Sequence, residues 1–119
     1  MQYMLLIYHD EQAVGAAERE QCYVESTQLA RQLQSRGQYL ASAPLHPTSM
    51  ATSVQVRGDR RLTTDGPFAE TREQLGGYFL IDARDLDEAI DIAARIPMAR
   101  KGTVEIRPVI ELPDLPRAS

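Results

Sequence analysis

The hydrophobic period switches along this chain in one order: strand, helix, strand, hairpin, strand, helix, strand. Tyr3-Met4-Leu5-Leu6-Ile7-Tyr8 is apolar at consecutive positions and too short for a buried helix, which predicts a strand covered on both faces. A helical period follows, in which Arg19, Cys22/Tyr23, Ser26, Leu29/Ala30 and Leu33 recur, and Gly37 stands where a left-handed cap costs least. Tyr39 to Leu45 predicts the next strand, ended by Pro44 and Pro47, which bracket His46. Thr52–Arg57 and Arg60–Thr64 flank Gly58-Asp59 as a hairpin with glycine first in its turn. A polar connection then runs from Asp65 to Gly77, long enough to suggest a role of its own. Tyr78 to Ile81 is again apolar on both faces. Asp85 and Glu88 form a capping box before the stripe Leu86, Ala89/Ile90, Ala93 and Ile96, which Pro97 ends, and Thr103 to Arg107 reads as the last strand.

This order is the split βαβ, ferredoxin-like arrangement: an α+β domain with an antiparallel sheet and both helices on one face. Strands apolar on both faces leave the other side of the sheet needing cover, which predicts a face-to-face homodimer. A length of 119 residues fits one domain, expected over residues 1–112 with 113–119 as an extended tail. With 43% hydrophobic and 25% charged residues the chain is neither disordered, collagen-like nor coiled-coil. A net charge of −4 argues against direct binding to nucleic acid or to an anionic membrane. The single cysteine, Cys22, has no partner for an internal disulfide and is expected as a small buried hydrophobe. No long apolar run occurs, and the first strand starts at residue 2, so neither membrane span nor leader is expected and the expected compartment is the cytoplasm. No cluster of histidine and cysteine has metal-ligand spacing, and no P-loop, dinucleotide glycine motif or nucleophile elbow is present, so no cofactor is expected.

Candidate site residues concentrate in the polar connection. Asp65 cannot close the usual Asx-turn because Pro67 has no N–H. It is either a cap for the N–H of Phe68 or Ala69 or a carboxylate aimed into a cleft beside Glu70 and Arg72, as general base or polar anchor. Glu70, Arg72 and Glu73 form a charge run that is either solvated or, at Arg72, a bidentate clamp for a carboxylate. Gly76-Gly77 at a strand entry marks a bulge or a close backbone approach. Tyr3, Tyr8, Tyr39 and Tyr78 either fill the core or line a cavity between subunits. His9 and Asp10 are adjacent on a strand end and therefore face opposite ways, and His46 reads as a surface loop residue.

The segment Thr64-Asp65-Gly66-Pro67-Phe68-Ala69-Glu70-Thr71-Arg72-Glu73-Gln74-Leu75-Gly76-Gly77-Tyr78 closely resembles the signature of the YCII-related proteins known as the DGPF-domain group. The resemblance extends to Tyr3–Tyr8, to Leu45-His46-Pro47-Thr48 with Ala51-Thr52, to Asp85–Ala89 and to Val104–Val109. It implies a dimeric α+β barrel on a ferredoxin-like fold. It further implies kinship with small lyase-type or dehydrochlorinating enzymes of aromatic breakdown that use a His–Asp pair, and a genetic link to extracytoplasmic-function sigma factors. The histidine of that pair lies on the first helix, and residues 16–36 contain none, so the pair does not carry over. The expected function is binding, with possible lyase-like turnover, of a small organic acid or aromatic metabolite in a cleft near the loop and the dimer interface. Asp65 would be its base or anchor and Arg72 its anion clamp, with Glu70, Tyr8 and Tyr78 at the ligand. The alternative is a non-catalytic accessory protein acting with a sigma factor.

Overall fold

The computed structural model describes residues 1–116. Its strands are β1 (Gln2–His9), β2 (Tyr39–Pro44), β3 (Thr52–Arg57), β4 (Arg60–Asp65), β5 (Gln74–Asp82) and β6 (Thr103–Pro108), with helices α1 (Ala16–Ser35) and α2 (Leu86–Ala94). Four strands make an antiparallel sheet in the order β2-β5-β1-β6, while β3 and β4 pair only with each other. Because β5 lies between β1 and β2, the two crossovers β1-α1-β2 and β5-α2-β6 put both helices on the same face, as a ferredoxin-like α+β fold requires. Neither helix is long and apolar enough to cross a membrane.

Register sorts the strand side chains. Leu5 is opposite Phe79 and Ile106, and Tyr3 is opposite Ile81; this row meets Leu29 and Leu33 of α1 and Ala89, Ile92 and Ala93 of α2 in one buried core. The alternate row, Met4, Leu6 and Tyr8 with Leu80 and Tyr78, is half-exposed on the face away from the helices. β1 is thus covered on one face only within the chain. The turns follow their residues. Gly37 adopts φ +73°, and Gln38 N–H reaches back to the Leu33 carbonyl (2.9 Å) to close α1. Gly58 adopts φ +61° while Asp59 does not go positive, the pattern of a hairpin turn with glycine first.

Several expectations change. The strand after the polar connection begins at Gln74, not Tyr78, so the connection is only residues 66–73. On α2, Leu86 and Ile90 are exposed and Ile92 is buried in their place. Asp85 does cap α2 by accepting from Glu88 N–H (2.9 Å), but the Glu88 carboxylate returns to Arg84 N–H (2.9 Å) rather than to Asp85. The tail is not extended where it is described: Leu115 N–H bonds the Leu112 carbonyl (3.2 Å) in a turn, and residues 117–119 lie outside the described residues.

Candidate functional site

The helix layer meets the sheet unevenly. Towards the C-terminal end of α1, Leu29 and Leu33 are buried against Leu5 and Ile81. Towards its N-terminal end, the inward positions are Cys22 and Ser26, and Ala30 continues their i, i+4 line beside Leu29. Opposite them stand Ser42 of β2, which pairs with the buried Phe79, and Gly76 and Gly77 of β5. Small residues on both layers cannot fill the gap between them, and a cavity of about 690 Å³ results. Ile7, Val14, Phe79, Ile96 and Met98 give it apolar walls; His9, Glu11, Arg19, Tyr39 and His46 bring polar groups to it.

These polar groups differ in how far they are already engaged. The Glu11 carboxylate accepts the backbone N–H (2.9 Å) and the hydroxyl (2.6 Å) of Thr48, which ties the end of β1 to the turn after β2. The Tyr39 and Ser42 hydroxyls bond each other (2.9 Å). Arg19, by contrast, reaches only the Val14 carbonyl at 3.5 Å, and among the described residues no carboxylate lies within ion-pair distance of it. His9 Nδ1 is buried with no hydrogen-bond partner. Burial, and secondarily the Glu25 charge, push the Cys22 thiol up from its ordinary pKa. Cys22 is half-buried at the cavity wall and packs against the core, rather than being fully enclosed.

A second cavity, of about 520 Å³, lies against the loop 66–73 and is bordered by Tyr8, Pro67, Phe68, Thr71, Gln74 and Leu75. It shares Leu45, His46 and Pro47 with the first. Among the described residues, His46 and the Tyr8 phenol are the ionisable side chains that border it.

The YCII-related domain family matches residues 1–113. This chain belongs to the YCII-related family. It is similar to an uncharacterised protein of Rhizobium meliloti, 36% identical over an alignment of 114 residues, with 92% of each chain covered. The family's proposed helix histidine has no counterpart on α1 of this YCII-related chain, where the cavity is instead met by Arg19, Cys22 and Ser26.

The residues singled out from the YCII-related signature are not gathered in one place. Asp65 ends β4 opposite Thr52, exposed, and its carboxylate accepts no hydrogen bond from the described residues, so it caps neither Phe68 nor Ala69. Glu70 and Arg72 are exposed on the loop and border neither cavity. Tyr8 belongs to the second cavity, its hydroxyl 3.5 Å from Glu105 Oε1, whereas Tyr78 borders the first. Tyr3 is buried in the core, so the four tyrosines do not line one space, although Tyr39 and Tyr78 both border the first cavity. Asp10 is occupied as a cap, accepting from Gln12 N–H (2.9 Å), and forms no pair with His9. The bulge expected at Gly76-Gly77 is present: pairing jumps from Ile7–Gly77 to Tyr8–Leu75, leaving Gly76 as the extra residue. Reading the sequence missed Arg19 and His9 as members of one site. The available signal was the line of small residues on α1 facing Ser42 and Gly76-Gly77.

Proposed function

We propose that this YCII-related protein binds a small organic acid with an apolar or aromatic body in the cavity beneath α1. The observation that carries the reading is Arg19: a guanidinium with no carboxylate partner among the described residues, set on the rim of an apolar cavity large enough for a molecule of that kind. Ligand sites are mostly apolar, with a few polar groups fixing orientation, and an arginine fork is suited to a carboxylate. Among the described residues the second cavity has no arginine or lysine on its border, so the acid reading is placed at the first. Asp65, Glu70 and Arg72 are then surface residues of the loop rather than parts of the ligand site. The regulatory alternative rests on the resemblance alone.

A thermal-shift panel of small carboxylates, with benzoate first, tests the reading on wild type, Arg19→Gln and Asp65→Asn. A ligand at one hundred times its dissociation constant adds about 2.7 kcal/mol of stability, a shift of several degrees for a domain of this size. The expected result is a shift in wild type and Asp65→Asn that is lost in Arg19→Gln. A shift lost in Asp65→Asn and kept in Arg19→Gln would move the site to the loop.

A second reading concerns assembly and has its own observation. Met4, Leu6, Tyr8, Tyr78 and Leu80 form a half-exposed apolar face on the sheet, and the β3–β4 hairpin exposes Val54 and Val56 with no other strand beside it. A two-stranded ribbon is marginal alone, and a face of this kind is covered most simply by a second copy of the chain. A homodimer is the assembly we infer, to be measured by sedimentation.

A further inference from the structure

We infer that His9 is the second polar anchor of the cavity beneath α1, presenting Nε2 to an oxygen that the bound acid carries away from its carboxylate, with Gly76 as the residue that positions the ring. The inference rests on the carboxylate-binding reading of the same cavity. It starts from an unusual cost. Buried polar atoms are almost always hydrogen-bonded, and an exception calls for a reason; His9 Nδ1 is such an exception, buried and without a partner. What holds it there is Gly76. A Cβ on residue 76 would collide with His9 Cε1 and would stand 2.6 Å from Nδ1, but 3.5 Å from Nε2. The ring therefore lies with its Cε1–Nδ1 edge against the bulged glycine and its Nε2 turned away.

The two nitrogens then have different tasks. A buried N–H without an acceptor is among the rarest features of folded proteins, so in the uncharged ring the proton belongs on Nε2. Nε2 is not buried and bonds to no described residue, so it is free to donate. His9 comes to the cavity from the end of β1 and Arg19 from α1, so a molecule lodged between strand and helix can meet both through different atoms. A carboxylate at Arg19 and a hydroxyl or carbonyl oxygen at His9 describe a hydroxy- or oxo-substituted acid.

Calorimetric titration with benzoate and the three hydroxybenzoate isomers decides this, on wild type, His9→Leu, His9→Gln and Gly76→Ala. One added hydrogen bond in a site of this kind is worth up to roughly tenfold in affinity. The expected result is that at least one isomer binds wild type several-fold to tenfold tighter than benzoate. That preference should vanish in His9→Leu, fall in Gly76→Ala because the new methyl displaces the ring, and survive in part in His9→Gln, whose amide nitrogen stands near the place of Nε2. The quantity compared is each isomer's affinity relative to benzoate's in the same protein, so a general weakening of binding in a variant does not count as a loss of preference. Nitrogen-15 spectra of the imidazole supply a readout that a purely structural role would not move: the preferred isomer should shift His9 Nε2 more than Nδ1. Benzoate binding that depends on Arg19, with all isomers equal or with a preference that survives His9→Leu, overturns this inference and leaves the carboxylate reading standing. Absence of any carboxylate binding to wild type overturns both.

Discussion

The two ends of the α1–sheet interface are built on the same geometry and filled with different residues. At one end Leu29 and Leu33 meet Leu5 and Ile81, all buried. At the other, Cys22 and Ser26 face Ser42, Gly76 and Gly77, and the layers leave a cleft of about 690 Å³ that Ala30 also borders. The hollow is open to solvent along the side where Tyr23, Pro44 and Leu45 are exposed, so it is a cleft at the edge of the core and not a void within it. The filled end supplies stability and the hollow end supplies a place for something else. The unpaired Arg19 and the unpartnered His9 Nδ1 both fall at the hollow end, which is where sites are expected to break the rules that the rest of a fold obeys.

Truncation at the filled end should have the largest effect. Leu33→Ala removes a fully buried side chain and should cost about 2–5 kcal/mol in denaturant unfolding. Next comes the uncovered face of the sheet: Leu6→Glu places a charge among Met4, Tyr78 and Leu80 and should convert a dimer to monomers in sedimentation. At the hollow end the effect on stability should be small and the effect on binding large. Ala30→Leu extends into the cavity, should change stability by no more than about 1 kcal/mol, and should abolish the benzoate-induced thermal shift. A loss at Ala30→Leu as large as that at Leu33→Ala would erase the distinction between the ends. Smallest is a pH effect at Cys22. Burial favours its neutral thiol, so its alkylation should be slower than that of a solvated peptide thiol at mildly alkaline pH and should keep rising with pH beyond the range where the latter levels off.

Much of the fold was legible in the order of hydrophobic periods, because strands and helices that bury one face carry that face in their spacing. β5 was cut short in that reading because Gln74-Leu75-Gly76-Gly77 has few apolar side chains; those residues join the sheet through backbone pairing with the end of β1, which leaves no period. The phase expected for α2 differs at Leu86 and Ile90 because a helix of 9 residues with isoleucines at 90 and 92 offers more than one apolar face, and packing chose Ile92. The site was less legible. Its wall comes from residues near 22–30, 42–43 and 76–77, and a cavity made by what side chains lack is written in no single segment. The signature loop drew the reading instead, since Asp65 and Arg72 bear obvious chemistry, yet both stand exposed at the surface.

Cys22 offers the most direct test of the central claim, that an acid occupies the cavity beneath α1 through Arg19. It is the only cysteine in the chain and lines that cavity, so its rate of reaction with a thiol reagent reports occupancy at that place. Saturating benzoate should slow the reaction in wild type and in Asp65→Asn and leave it unchanged in Arg19→Gln. If benzoate binds the wild-type protein and the Cys22 rate does not change, the acid sits elsewhere and the account is contradicted.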